Sequence, residues 1–355
     1  MKISIALATF NGAAFLGEQL DSIKRQSLQP DELIVCDDSS TDDTLEIARR
    51  FAREVGFKVV VDAHEKLPTY NENFVRAIGQ CSGDIVVLCD QDDVWSDNKL
   101  LTAVSEFQDE TVMAVTHRIQ VVDERLRPTP LVLPRDPRYG KFDVTNLDPW
   151  SAPGGMNLVF RRIPIAPWLL DAPPLSKWCD APAAFDEWIF FLAGIAGKMV
   201  LLPDVLGVWR RHSTSTTGSP ESTTKSWSRG YQWKLAASTG AAHYAYTAAV
   251  ADSRAEVAER IVRQSAHAAL RAQEGARLYR RISETWRRRS RLHEDGSSRG
   301  ARLLILAEML QKLDYRPRGS GGLGAKSFLK DSFAVLRGPR TLPARPTVHS
   351  GQGGS

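Results

Sequence analysis

The sequence predicts an α/β fold in which a mixed, mainly parallel sheet is flanked by helices and followed by an α-helical C-terminal extension. Three observations predict it. In the first hundred residues, short apolar runs alternate with amphipathic segments of helical period. These runs are apolar on both faces, which is typical of parallel strands that helices cover on both sides. From about Lys225 the chain becomes rich in Ala and Arg and shows no further strand pattern.

The N-terminal part is expected to hold four buried strands with helices between them. Local signals separate these elements: Asn11-Gly12 follows the first strand, Pro30 ends the first helix, and the Ser-, Thr- and Asp-rich stretch 39–43 begins the second. The expected strands are 3–8, 33–36, 58–61 and 85–89, and the expected helices are 13–26, 39–55 and 73–78.

The pattern is less regular in the middle of the chain and helical after it. Residues 127–137 are Pro-rich and are expected to form a loop, whereas 185–196 is apolar nearly all round, as in a buried helix. The run 287–289 consists of three arginines and is expected in a link between two C-terminal helices. The other expected strands are 112–116, 119–122, 156–160, 199–202 and 205–209, and the C-terminal helices are 241–281 and 301–313.

Composition and charge divide the chain into three expected regions: an α/β domain at 1–224, a basic helical region at 225–337, and a Gly-, Pro- and Ser-rich tail at 338–355 that we expect to be disordered. The net charge of +4 conceals an asymmetry, because the first region holds 22 Lys/Arg and 32 Asp/Glu while the rest holds 24 and 10. The basic part predicts either contact with phosphate, on nucleic acid or an anionic membrane, or a solvated helical face.

Composition also argues against several classes of protein. Hydrophobic residues make up 43% of the chain and charged residues 25%, which is typical of a globular protein. No apolar run reaches the length of a membrane span, and no signal peptide is predicted. The four cysteines lack CxxC spacing, which argues against a disulfide scaffold or a Cys-based zinc site and favours a cytoplasmic location.

Acidic residues follow two of the predicted strands. Asp37 and Asp38 come after the second strand, and Asp90, Asp92 and Asp93 come after the fourth. Ligands of parallel sheets bind beyond the carboxyl ends of the strands, where a carboxylate can accept hydrogen bonds from a ribose or a base. Crowded carboxylates suit Mg²⁺ or Mn²⁺, which would offset the charge of a diphosphate. The alternatives are a helix cap for the first pair and a polar turn for the second group.

Two further groups of residues could carry chemistry. Asp186 and Glu187 begin the predicted buried helix, where they could act on a ligand or only cap the helix. Arg210, Arg211 and His212 could bind phosphate and a metal or form a basic loop. The chain has no GxGxxG, GxxxxGK[ST] or GxSxG motif, so dehydrogenase, P-loop and α/β-hydrolase functions lack support.

Together these motifs resemble the inverting family two glycosyltransferases with the GT-A fold, in particular a bacterial rhamnosyltransferase-like branch. The resemblance covers about residues 1–220. It departs at residues 209–212, where relatives often have Tyr-Arg-Gln-His and this chain has Trp-Arg-Arg-His. The motifs that carry it are ATFNG at 8–12, DDSSTDDT at 37–44, SGDIVVLCDQDDVW at 82–95, FDEW at 185–188 and VWRRHSTSTTG at 208–218.

The resemblance implies a role for each site residue. Asp186 would be the catalytic base, and Asp92 with His212 would hold Mg²⁺ or Mn²⁺. Asp90 would be the first acid of the DxD motif, with Asp93 helping to orient the pair. The residues expected to bind the nucleotide sugar are Thr9, Asn11, Asp37, Asp38, Asp90, Gly154, Gly155, Arg210 and Arg211. Which of the two arginines meets the diphosphate stays open, because of the departure at 209–212.

The expected function is therefore an inverting, metal-dependent glycosyltransferase of cell-surface polysaccharide or glycan synthesis. The donor would be a UDP- or dTDP-sugar, with dTDP-rhamnose favoured by the resemblance, and the acceptor a glycan or a lipid-linked hydroxyl. The C-terminal region is expected to pack on the catalytic domain and present arginines to an anionic membrane at the inner face of the cytoplasmic membrane. An oligomer stays open.

Two other classes remain as alternatives. A sugar-phosphate nucleotidyltransferase would also use acids, a metal and an α/β sheet, but it usually needs a Gly-rich, basic loop after the first strand, where this chain has ATFNG. A non-catalytic nucleic-acid-binding protein could use the basic C-terminal part. The acidic balance of residues 1–224 argues against it, and no nucleic acid is expected as a partner.

Overall fold

The computed structural model describes residues 1–134, 139–150, 154–163, 165–169, 171, 173–177, 182–213, 240–264, 269–317 and 321–338. Three expectations lie outside these residues: the Ser/Thr-rich loop after Ser213, the start of the helical region at Lys225, and the tail after Gly338.

The N-terminal part alternates strand and helix as the sequence predicts. The elements are β1 (Ile3–Thr9), α1 (Ala13–Lys24), β2 (Glu32–Asp37), α2 (Thr44–Ala52), β3 (Lys58–Ala63), α3 (Tyr70–Gln80) and β4 (Ile85–Asp90). Strands β1, β2 and β4 are buried, whereas β3 is a partly exposed edge strand. Helix α1 turns Leu16, Leu20 and Ile23 toward the buried strands, one helical turn apart.

The second half of the α/β domain is less regular, with strands that range in length from two to thirteen residues. A 3₁₀ turn at Gly155–Asn157 leads into the ninth strand. The elements are β5 (Val94–Trp95), α4 (Lys99–Ser105), β6 (Val112–Val122), β7 (Pro128–Leu133), β8 (Gly140–Phe142), β9 (Leu158–Arg161), α5 (Ala166–Leu169), α6 (Phe185–Ala196) and β10 (Lys198–Arg210).

Three sequence-based expectations in this half are wrong. The two strands expected at 112–116 and 119–122 are one strand, β6. The two expected on either side of Pro203 are also one, because β10 shifts its register against β6 between Leu201 and Val205 and so accommodates the proline. The expected loop at 127–137 contains β7, which pairs with β6 alone, so its prolines lie on an edge strand.

The sheet is mixed, and its order is β3-β2-β1-β4-β9-β6-β10-β5, with β7 beside β6 and β8 beside β10. The neighbours β3, β2, β1 and β4 are parallel, as are β6 and β10, whereas β9 runs antiparallel to both β4 and β6. In this register Thr9 is opposite Asp37, and Ala8 is opposite Asp90. The acidic ends of β2 and β4 therefore flank the end of β1.

Helix α6 lies in the core, as its all-round apolar sequence predicts. Ten of its twelve residues are buried, and they join a cluster with the sheet, α3 and the C-terminal helices. The C-terminal helices thus share one apolar core with the α/β domain. These helices are α7 (Ala241–Gln264), α8 (Ala269–Leu292), α9 (Arg299–Gln311) and α10 (Ala325–Arg337). Helix α10 was not expected from the sequence, and the expected 241–281 spans α7 and part of α8.

The three consecutive arginines lie inside α8, which corrects the expectation of a link. Arg288 is bound to Asp314 (Nε to Oδ2, 2.8 Å), and Arg289 to Asp331 (Nε to Oδ1, 3.0 Å). Both aspartates are fully buried. The charges of Arg288 and Arg289 are therefore neutralised by acids on the chain that follows α8, whereas the exposed Arg287 pairs with Asp252 of α7. Among the described residues, no helix is long and apolar enough to cross a membrane.

Removal of Asp331 should destabilise the protein strongly. Asp331→Ala leaves Arg289 and His293 without a buried carboxylate that now binds both, and breaking such a pair typically costs about 3–5 kcal/mol. Urea unfolding measures the loss. The control is Glu54→Ala, which breaks the exposed Lys24–Glu54 pair and should cost at most about 1 kcal/mol. Equal losses in the two variants would contradict the prediction.

Candidate functional site

The ends of β1 and β2 bring Thr9 and Asp37 into direct contact. The Thr9 hydroxyl donates to Asp37 Oδ2 at 2.8 Å, and the backbone N–H and hydroxyl of Ser40 donate to Asp37 at 2.8 and 2.6 Å. The Asp37 carboxylate is fully buried among these donors. In this structure it organises the turn after β2 but does not cap α2, whose N-cap residue is Asp43.

Asp38 and Asn11 join the two loops beside this turn. Asp38 accepts a hydrogen bond from Leu67 N at 2.6 Å and pairs with Lys66, which lies 3.3 Å from the centre of the Phe10 ring. Asn11 has a left-handed backbone (φ 46°), and its side-chain oxygen accepts from the N–H of Thr41 at 2.8 Å. These contacts hold together the loops that follow β1, β2 and β3.

The acids after β4 are crowded in a way that favours a bound cation. Burial and the charges of Asp92 and Asp186 raise the pKa of Asp90 to about 7. Burial and the charges of Asp92 and Asp90 raise the pKa of Asp93. Asp93 accepts from the backbone of Arg210 at 3.1 Å, and its other oxygen has no hydrogen-bond partner among the described residues.

Asp92 and His212 form the part of this cluster that could hold a metal. His212 Nε2 lies 2.8 Å from Asp92 Oδ2, and its ring packs on Phe15 at 4.5 Å between centroids. The described residues contain no group of three or more His, Cys, Asp or Glu side chains arranged as metal ligands. Two ligands nevertheless fit Mg²⁺ or Mn²⁺, which is commonly held by one or two protein groups together with substrate phosphates.

Arg210 is engaged by the protein itself. Its Nε donates to the carbonyl of Asp92 at 2.8 Å, Nη1 to the carbonyl of Glu124 at 3.0 Å, and Nη2 pairs with Glu18. This guanidinium holds the loop of the acidic cluster against the end of β10. Arg211 is also buried, and burial lowers its pKa while the charges of Asp92 and Asp93 oppose that shift.

Lys99 lies beneath the acidic cluster, and sequence analysis did not identify it. Its side chain is fully buried, with Nζ 2.7 Å from the carbonyl of Met156 and 3.8 Å from the centre of the Trp95 ring. Burial lowers its pKa to about 8, and the nearby Asp93 and Asp90 oppose the shift. Lys99 connects the acids to the turn at 154–157, and its only sequence signal was its place shortly after the acidic motif.

Gly154 and Gly155 approach the start of α6. A Cβ at Gly155 would lie 2.8 Å from the Phe185 ring, so the turn can pack this closely only without a side chain. Burial raises the pKa of Asp186 to about 6, while hydrogen bonds from backbone N–H groups, including that of Gly155, oppose the shift. The charge of Asp186 also contributes to the raised pKa of Asp90, so the two acids are close enough to interact electrostatically.

Glu187, the neighbour of Asp186, has a different environment. It pairs with Arg254 of α7 and accepts hydrogen bonds from Ser176 Oγ at 2.8 Å and Lys177 N at 3.2 Å. Glu187 is buried, and its ion pair with Arg254 ties α6 to the C-terminal helices.

Comparison with known proteins identifies the α/β domain. A model of the family described as glycosyl transferase family 2 matches residues 4–164. This segment belongs to glycosyl transferase family 2. The match covers β1, the acidic cluster and the glycine turn, whereas Asp186 and His212 lie beyond it.

The relatives of this chain are distant. An uncharacterised glycosyltransferase of Nostoc is 25% identical over 233 residues, 63% of this chain and 69% of that protein. The dTDP-rhamnosyl transferase RfbG of Shigella flexneri is 32% identical over 107 residues, 28% of this chain and 35% of that protein. A Staphylococcus aureus TarS fragment solved with UDP-GlcNAc is similar in fold (TM-score 0.51, 16% identity, 96% and 93% of the two chains), which confirms the expected GT-A fold.

Asp92→Asn should abolish metal-dependent binding of a nucleotide diphosphate and leave the fold intact, because Asp92 lies on a loop and is not fully buried. Calorimetry with UDP and dTDP, with and without Mn²⁺, measures the effect. Glu18→Gln is a matched control: it alters a carboxylate on Arg210 without changing a proposed ligand. Unchanged metal dependence in Asp92→Asn would contradict the assignment.

Proposed function

We propose that this chain is a metal-dependent, inverting glycosyltransferase that moves a sugar from a nucleotide-diphosphate donor to a hydroxyl of a glycan or lipid-linked acceptor. The observation that supports it best is the 2.8 Å contact of Asp92 with His212, beside Asp90 and within electrostatic reach of Asp186. A family 2 glycosyltransferase uses nucleotide sugars, and these acids suit a diphosphate that arrives with a cation. We propose this function for residues 1–224 and assign residues 225–337 to a helical region attached to that domain.

The loops at the ends of β1, β2 and β4 would bind the donor. Thr9, Asn11 and Asp37 would line the nucleotide site, and Asp38 would contact the base. Asp90 would accept a hydrogen bond from the ribose. A Mg²⁺ or Mn²⁺ ion held by Asp92 and His212 would neutralise charge on the diphosphate leaving group. Arg210 or Arg211 would contact the diphosphate, and the choice between them stays open because both side chains are buried in the protein.

Asp186 would be the catalytic base. A hydroxyl that attacks the anomeric carbon must lose its proton, and a carboxylate with a pKa of about 6 is mostly ionised at neutral pH and able to accept it. Glu187 cannot take this role in the same geometry, since Arg254 and Ser176 hold it on another side of α6. A single displacement then inverts the anomeric configuration, and no second, nucleophilic carboxylate is needed.

The donor and pathway are proposed from similarity. The match to a dTDP-rhamnosyl transferase supports dTDP-rhamnose, with UDP-sugars as the other candidates. Cell-surface polysaccharide synthesis is the proposed setting. Thermal stabilisation by a panel of nucleotide sugars, with and without Mn²⁺, would select the donor.

Substitution of the two neighbouring acids should separate chemistry from structure. Asp186→Asn should keep donor affinity and lose turnover by roughly 10²-fold or more, because it removes a base but no donor contact. Glu187→Gln should retain more turnover and lose stability instead, because it weakens a buried ion pair with Arg254. Turnover, donor affinity and urea unfolding are measured for both. A near-normal rate in Asp186→Asn with an inactive Glu187→Gln would reverse the assignment.

The reaction class is tested by the product that the enzyme releases. Incubation with the stabilising nucleotide sugar, Mn²⁺ and a mixture of lipid-linked and glycan acceptors should release a free nucleoside diphosphate, which phosphorus NMR identifies. The same sugar as a 1-phosphate, offered with a nucleoside triphosphate, should give no pyrophosphate. Pyrophosphate release would instead show a nucleotidyltransferase.

A further inference from the structure

The two last helices turn large apolar side chains toward solvent. On both helices these residues recur at helical spacing, so that each presents a stripe and not isolated side chains. Between 47% and 74% of each residue is exposed. We define the α9–α10 outer face by these six residues: Leu303, Leu304, Leu310, Leu329, Phe333 and Leu336.

The two stripes lie on adjacent antiparallel helices. The Tyr315 ring, just after α9, packs on Phe328 at the start of α10 (5.2 Å between centroids). At the other end, Arg302 approaches Gly338, where a Cβ would lie 3.5 Å from its guanidinium. The opposite sides of the helices bury Met309 and other residues against α8, so the α9–α10 outer face points away from the shared core.

Charge is distributed unequally between the two sides of this helix pair. Every acid from Arg299 to Gly338 in the described chain pairs with an arginine of α8: Asp314 and Asp331 are fully buried, and Glu308 lies 3.6 Å from Arg291. Exposed basic residues occur on or beside the outer face: Arg299, Lys312, Lys326 and Arg337. The arginines of α8 thus hold two of these acids in the core and pair with the third, Glu308, at the surface, and an apolar, basic surface remains outside.

We propose that the α9–α10 outer face binds an anionic lipid bilayer. A surface helix with Leu and Phe on one side and flanking Lys and Arg fits the interface of a membrane, where apolar side chains enter the acyl boundary and the cations meet phosphate. A second copy of the chain fits less well. A two-fold contact would set the basic residues of one copy against those of the other. The acids of α9 and α10, Glu308 and Asp331, already pair with arginines of α8.

The proposal changes the role that sequence analysis gave to the C-terminal arginines. Arg254, Arg288 and Arg289 are held by internal carboxylates, so contact with lipid falls to α9 and α10 instead. Since α8 packs on α6, a bilayer bound at this face would lie at a fixed distance from Asp186. The inference itself does not depend on the chemistry proposed for the strand ends, because its test needs no turnover.

Vesicle flotation of the full chain tests the proposal. One set of vesicles contains phosphatidylcholine alone, and the other contains phosphatidylcholine with phosphatidylglycerol. We expect association with the anionic vesicles that weakens at high salt and is much weaker with the neutral ones. No association with anionic vesicles, or equal association with both sets, would overturn the proposal.

Surface variants locate the contact. Leu304→Ser with Phe333→Ser should lower the partition coefficient about tenfold or more, since each side chain loses its transfer into lipid. Leu101→Ser is the matched control: it changes a similarly exposed leucine on α4 and should leave binding unchanged. Thermal unfolding verifies that all variants are folded. Unchanged flotation of the double variant would overturn the proposal. It would also be overturned if light scattering showed that the unaltered protein is a dimer and the double variant a monomer.

Discussion

Crowding of carboxylates at one edge of the sheet is the constraint on which the site depends. Parallel pairing of β2, β1 and β4 brings the strand ends together, and the loop after β4 adds Asp92 and Asp93. Burial and mutual repulsion raise the pKa values of Asp90 and Asp93, so the cluster is unfavourable without positive charge. Arg210 and Lys99 supply part of that charge from the protein. A divalent metal ion that binds together with a diphosphate would offset the remaining repulsion between the carboxylates. Binding of the ligand at this site would therefore be favourable.

The C-terminal helices are fastened to the catalytic part through charge as well as through apolar packing. Arg254 of α7 pairs with Glu187, next to the proposed base, and also donates to the carbonyl of Pro149 at 2.8 Å. Buried pairs of this kind contribute little net stability but cost much when one partner is lost. They fix where α7 and α8 sit relative to α6. The geometry around Asp186 is therefore set partly by residues far along the chain.

Local patterns predicted most elements of this fold, and long-range pairing explains what they missed. The strand–helix alternation follows from apolar runs and amphipathic helical segments, and the buried α6 from its all-round apolar sequence. Arg288 and Arg289 could not be placed by such patterns, because their acidic partners lie about 25 to 40 residues further on. The site shows the same division. The acids were found from their strand-end positions, whereas Lys99 is a lone cation whose contact with the Met156 carbonyl forms only in the folded chain.

The most direct test of this account is a crystal structure with UDP or dTDP and Mn²⁺, in which anomalous scattering locates the metal. We expect one manganese ion bound by Asp92 and His212, in contact with the diphosphate and close to Asp90. Nucleotide bound at the strand ends with no metal at Asp92, or bound away from the ends of β1 and β4, would contradict the central claim.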